Sequence, residues 1–148
     1  MNYIMDYNII GEDLMRPWGG FYYISPVDLE RFIREYFPNI IIDIKQSLSP
    51  KILIIDKGKR LSWQYHNRRK EIWSVLKGPV GIVRSFDDNE SNTIIAQTGE
   101  IIIIEKLERH RLVGLDVQAI VAELWWHIDK NNLSDENDII RLQDDFKR

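Results

Sequence analysis

Apolar and polar positions divide the chain into two regimes. Leu29, Phe32, Ile33, Tyr36 and Phe37 recur at helical spacing, and Pro38 stops the run. Ser25 offers a capping oxygen, Pro26 suits a first turn, and Asp28 favours the positive end of a helix dipole. The pattern predicts one amphipathic helix at about 26–37, with its apolar stripe laid on a larger body. From residue 51 onward the pattern is that of strands. Short β segments are predicted at 51–56, 61–66, 71–77, 80–86, 93–97, 100–105 and 117–128. Turn signals separate them, among them Asp56-Lys57-Gly58-Lys59, Lys77-Gly78-Pro79 and Thr98-Gly99. Such spacing predicts an antiparallel sandwich or barrel over about 51–128. Ile101–Ile104 shows no alternation, which predicts a strand covered on both faces. Ser134-Asp135-Glu136 could start a short helix, but Asp144-Asp145 sits poorly at a helix C-terminus. The tail therefore reads as a covering segment of mixed structure. No repeat or linker interrupts the chain, so 1–148 reads as one domain.

Composition narrows the function classes. With 148 residues and 44% hydrophobic positions, the chain is long and apolar enough for a packed core. A net charge of −3 argues against a nucleic-acid footprint. The absence of cysteine removes disulfides, thiolate metal sites and cysteine nucleophiles. No apolar run approaches the roughly 18 residues of a membrane helix. Residues 1–6 lack a basic stretch followed by an apolar one, so no secretory signal is expected. The expectation is a cytoplasmic protein without membrane or nucleic-acid partners. Any histidine chemistry must use His66, His110 or His127.

One constellation carries chemistry. Gln64 and His66 are two apart on a predicted strand and point to one face. Glu71 opens the next strand after a short turn, so antiparallel pairing brings it near that pair. His110 follows much later. These four N and O donors suit zinc, manganese, iron or nickel, and spacing does not choose among them. Read blandly, they are unrelated polar strand residues, but burying a carboxylate and imidazoles without partners is costly.

These residues also resemble a family pattern. Gly58, Gln64, His66, Glu71 and Gly78 stand at the spacing of the first cupin motif, with Gln64 at a place where many cupins have histidine. Gly99, Glu105, His110 and Gly114 resemble the second, where Glu105, Leu107 and Gly114 often give way to proline, glycine and asparagine. Arg16-Pro17-Trp18-Gly19, Leu61-Ser62-Trp63-Gln64-Tyr65-His66, Arg69-Lys70-Glu71-Ile72-Trp73 and 138–146 look like the cupin domain of type II phosphomannose isomerases. Those proteins often carry several adjacent histidines where this chain has His66-Asn67-Arg68. The resemblance implies an all-β cupin fold, a double-stranded β-helix or jelly-roll barrel, with the 26–37 helix as an insertion. It also implies a divalent metal, zinc foremost, on Gln64, His66, Glu71 and His110, and interconversion of mannose 6-phosphate and fructose 6-phosphate.

Further roles follow as expectations. Glu123 shares a strand face with Trp125 and His127 and is the candidate general base, or else a structural carboxylate. His127, near the strand end, is expected at the surface. Trp73 shares a face with Glu71 and is the candidate cavity wall for a sugar. Arg60, Arg68, Arg69, Lys70, Arg109 and Arg111 gather near the expected mouth. Arg60 has the strand parity of Gln64 and His66, so it is the preferred inward cation for catalysis and substrate phosphate, with Arg16 second. Arg109 and Arg111 should face away from His110. The alternatives are a non-catalytic sugar or nucleotide-sugar binding cupin, or another cupin enzyme, such as a sugar isomerase, an epimerase or an iron dioxygenase. Nucleotidyl transfer is not expected, because a Gly-rich phosphate loop is lacking. A homodimer through the Ile-rich segments 40–44 and 101–104 is expected.

Overall fold

The structure is a computed structural model and describes residues 6–148. Residues 1–5, which carry most of the reading of the amino terminus, lie outside it. The elements in chain order are β1 (Ile9–Arg16), β2 (Gly19–Ile24), a 3-10 turn (Pro26–Asp28), α1 (Leu29–Tyr36) and β3 (Leu48–Ile55). They continue with β4 (Trp63–Tyr65), β5 (Arg69–Lys77), β6 (Val80–Ser85), β7 (Ile94–Ala96) and β8 (Ile101–Ile104). The last are β9 (Arg109–Val113), β10 (Ala119–His127) and β11 (Ile140–Gln143). They form two antiparallel sheets, β1-β2-β3-β10-β5-β8 and β11-β4-β9-β6-β7.

Alternation along the strands builds two apolar layers. Leu53 and Ile55 of β3, Trp73 and Val75 of β5 and Val121 of β10 point between the sheets, where they meet Val80, Ile82 and Leu112 of the smaller sheet. Their neighbours Ile52, Ile72, Ala122 and Leu124 point to the opposite face of the larger sheet. There α1 covers them with Phe32, which is fully buried, while Phe37 caps the patch. The 3-10 turn that leads into the helix starts as the sequence predicts, with Ser25 Oγ accepting from the Val27 amide. Burying a phenylalanine contributes about 1.5–3 kcal/mol, enough to hold so short a helix on the sheet.

Two expectations change. The region before residue 25 contributes β1 and β2, which pair antiparallel and extend the larger sheet through β2–β3. Gly19 at the turn between them has φ +144°, and a Cβ there would sit 2.0 Å from the Ile54 carbonyl oxygen, so only glycine lets the strands close. Ile101–Ile104 is not covered on both faces: β8 is an edge strand, and Ile103 is 37% exposed while Ile104 is buried. No helix forms after Ser134, whose hydroxyl instead donates to Asp138 at 2.6 Å. Among the described residues no helix is long and apolar enough to cross a membrane.

Candidate metal and ligand cavity

Register brings the polar residues together. Glu123 of β10 lies opposite Lys51 on one side and Trp73 on the other. One alternation further, Trp125 lies opposite Glu71. In the smaller sheet Gln64 lies opposite His110, and Arg141 opposite Gln64. Residues opposite one another in antiparallel pairs share a face, so both sets project into one cavity between the sheets.

At its floor, ligand atoms of His66, Glu71 and His110 all lie within 4.8 Å of one another, and all three residues are buried. His110 Nε2 is 3.0 Å from Glu71 Oε1, and His66 Nε2 is 3.7 Å from it. The two histidine Nε2 atoms are 3.2 Å apart. His66 Nδ1 meets the Asp138 carbonyl at 2.6 Å, and His110 Nδ1 meets the Glu108 carbonyl at 2.7 Å. A carbonyl only accepts, so both Nδ1 atoms carry protons. In the neutral rings both Nε2 atoms are then lone pairs, facing each other and a carboxylate oxygen. Such a set needs one positive particle among its members, a proton or a metal ion, and two imidazoles with a carboxylate fit a divalent ion. Burial lowers His66 to about 3 against the opposing pull of the Glu71 charge, so its ring is neutral and ready to ligate. Burial opposes the Glu71 charge, but His66, Arg69 and His110 outweigh it and hold the carboxyl well below the usual range.

Gln64 lines the same cavity, and its amide oxygen accepts from Ser62 Oγ at 3.1 Å. Arg69 stands beside the donors. Its Nε donates to Glu71 Oε2 at 3.2 Å and its Nη2 to His66 Nε2 at 3.2 Å. Ser134 Oγ and the Asp135 carbonyl accept from its Nη1, and it lies 3.7 Å over the Trp125 ring.

Glu123 is buried and accepts from Trp73 Nε1 and Trp125 Nε1, each at 2.9 Å. Burial, then the nearby Glu71 charge, pushes its carboxyl up to about 8. Trp73 meets the His110 ring edge-on at 5.6 Å and forms part of the cavity wall.

The cations depart most from expectation. Arg60 does not line the cavity. Nε and Nη2 of its half-exposed guanidinium donate to Asp145 at 2.7 and 2.9 Å. Residues 61–62 separate Arg60 from β4, so alternation from Gln64 does not extend to it. Of the six basic residues expected near the mouth, only Arg69 lines the cavity. Arg111 is fully buried and donates to the Leu61 carbonyl, Glu90 and Gln143, while Arg109 lies over Tyr65 and pairs with Asp88. Neither of the two lines the cavity, as alternation required. Arg16 does line it. His127 is buried rather than superficial: Nδ1 accepts from the Ser134 amide at 3.0 Å, so Nε2 donates to Ser49 Oγ at 2.8 Å.

Sequence reasoning missed Lys51, Arg141 and Arg148 in the lining. Lys51 was legible, since it shares parity with the inward Leu53 and Ile55. Its ammonium lies over Phe21 at 3.9 Å and donates to Glu136 at 2.8 Å.

No protein-family profile matches the chain, and no curated protein sequence matches it. Solved structures do. An oxalate decarboxylase of Bacillus subtilis aligns with a TM-score of 0.64 at 12% identity, over 89% of this chain and 30% of that one. CapF, crystallised with an inhibitor, aligns with a TM-score of 0.61 at 15% identity, over 90% of this chain. The chain spans about a third of CapF's length, 34%. KdgF from a Halomonas species aligns with a TM-score of 0.54 at 13% identity, over 82% of this chain and 91% of that one. The fold is that of the cupins: an all-β double-stranded barrel carrying one short helix. Its interior holds a histidine and glutamate cluster able to take a metal ion.

Proposed function

We propose that the chain is a metal-dependent sugar-phosphate isomerase of the phosphomannose isomerase type, converting mannose 6-phosphate to fructose 6-phosphate through an enediol. The observation that carries this reading is the placement of the His66, Glu71 and His110 donors in one cavity with Glu123 and several cations. His66, Glu71 and His110 would hold the ion, with Gln64 beside them. When bound, a divalent ion supplies Lewis-acid polarisation of a substrate carbonyl. Glu123 would take the C2 proton as the carboxylate and return it to C1. Its raised affinity for a proton makes it a stronger base than an exposed carboxylate. The Trp73 and Trp125 N–H groups hold both its oxygens, which keeps the carboxylate aimed. Trp73 offers an apolar wall to the sugar ring, and Arg16 a cation to its phosphate.

Elemental analysis of freshly purified protein, followed by a panel of sugar phosphates, tests the reading. Zinc or manganese with aldose–ketose turnover supports it. Iron with oxygen consumption points to a dioxygenase. Sugar binding without metal or turnover points to a binding module.

A further inference from the structure

Besides Arg69, three arginines reach the cavity from three parts of the chain: Arg16 at the end of β1, Arg141 in β11 and Arg148 in the tail. The cavity floor is buried, whereas Arg141 and Arg148 are exposed and Arg16 is half-buried, so they define its open end. The Arg141 side chain makes no hydrogen bond or ion pair among the described residues. Burial and the charges of Arg148 and Arg16 lower its proton affinity and outweigh the opposing charges of Asp144 and Glu136. Arg16 Nε lies 3.0 Å from Asp13, yet it is buried without an aligned hydrogen bond. Arg148 is held in position by Asp144, which accepts from both its Nε and its backbone amide. Glu136, an acidic side chain that lines the cavity, is already engaged by Lys51 and Tyr23.

We propose that Arg16, Arg141 and Arg148 form an anion-recognition site for a phosphate monoester. This rests on the cavity being a ligand site, and it names the group by which a ligand is held there. Converging guanidinium forks match the several oxygens of a phosphate, and the unpaired Arg141 supplies the uncompensated charge that draws it in. The site lies toward solvent from the metal donors, so a sugar held by its terminal phosphate would extend its other end toward His66, Glu71 and His110.

The test is calorimetric titration of the full chain, without phosphate buffer, using inorganic phosphate, mannose 6-phosphate and mannose. Mannose 6-phosphate should bind about tenfold or more tightly than mannose, and Arg141→Gln should weaken phosphate and mannose 6-phosphate by about tenfold. Arg141→Lys should recover part of that loss, because it keeps the charge and loses the fork. Arg109→Gln, which removes a guanidinium outside the cavity, should bind phosphate as the wild type does. Phosphate binding that is lost in Arg141→Gln but accompanied by no turnover leaves this site standing and removes the isomerase reading. Unchanged phosphate affinity in a folded Arg141→Gln protein overturns the site, as does equal affinity for mannose and mannose 6-phosphate.

Discussion

His66 and His110 meet Nε2 to Nε2 at 3.2 Å, and with each Nδ1 spent on a backbone carbonyl, neither neutral ring has a proton to offer the other. Arg69 reaches His66 Nε2 and Glu71 Oε2, and a proton or a metal ion among the three donors would satisfy the facing lone pairs that remain. Strand β9 delivers one ring and the end of β4 the other. Removing one donor should be felt in metal retention before it is felt in folding. His110→Ala is expected to lose stoichiometric metal while keeping its far-ultraviolet circular dichroism. Full metal content and full activity in that variant would reject the ligand assignment.

Arg69 couples the cluster to the tail. It neutralises Glu71, contacts His66, and is itself held by Ser134 and the Asp135 carbonyl. Arg69→Met leaves Glu71 buried without its permanent counter-charge, which should cost the metal-free protein about 3–5 kcal/mol. The guanidinium also occupies one lone pair that a metal needs, so the variant should gain more from added zinc than the wild type does. Thermal melts with and without zinc measure both effects. An equal zinc-induced rise in the two proteins would show that Arg69 does not compete at the site.

Glu123 predicts a pH dependence with a definite sign. Its folded carboxyl titrates near 8, above the ordinary 4.5, so between those values the folded chain holds the extra proton. Stability then falls as pH rises through that window. His66, lowered to about 3 from 6.5, acts oppositely: stability rises with pH between those values and is complete above them. The two offset each other between pH 4.5 and 6.5, and from 6.5 to 8 only the Glu123 term of the pair remains. Glu123→Gln should abolish the alkaline decline of metal-free protein in urea melts at pH 6.5 and 8.5. A decline unaltered in that variant would place its origin elsewhere.

His127 fastens the covering segment. Its Nδ1 accepts from the Ser134 amide, and Ser134 in turn holds Arg69 and Asp138. His127→Ala leaves that buried amide unpaired and should cost about 1–3 kcal/mol, read from denaturant midpoints. Metal content should persist, since His127 lies outside the donor cluster.

A homodimer is also expected. Ile41 is 99% exposed and Ile44 48% exposed, and the β8 edge leaves Ile103 partly open. Light scattering that returns the monomer mass of 17.6 kDa would reject it.

Local pattern determined much of this protein. The helix was legible because Ser25, Pro26 and Pro38 bracket a run of correct period, and the interior of β3, β5 and β10 was legible because alternation is a backbone property. His66, Glu71 and His110 could be grouped because a short turn and antiparallel pairing leave few other arrangements. The edge position of β8 was not legible, since four isoleucines in succession carry no alternation and only the sheet order shows that it lies at an edge. The role of each cation waited on the tertiary structure for a similar reason. Arg60 and Arg141 are chemically alike, and what separates them is whether a distant carboxylate, Asp145, happens to stand within reach. Residue type and period act over a few neighbours, whereas charge pairing acts through space between segments far apart in the chain, and only the folded chain sets those distances.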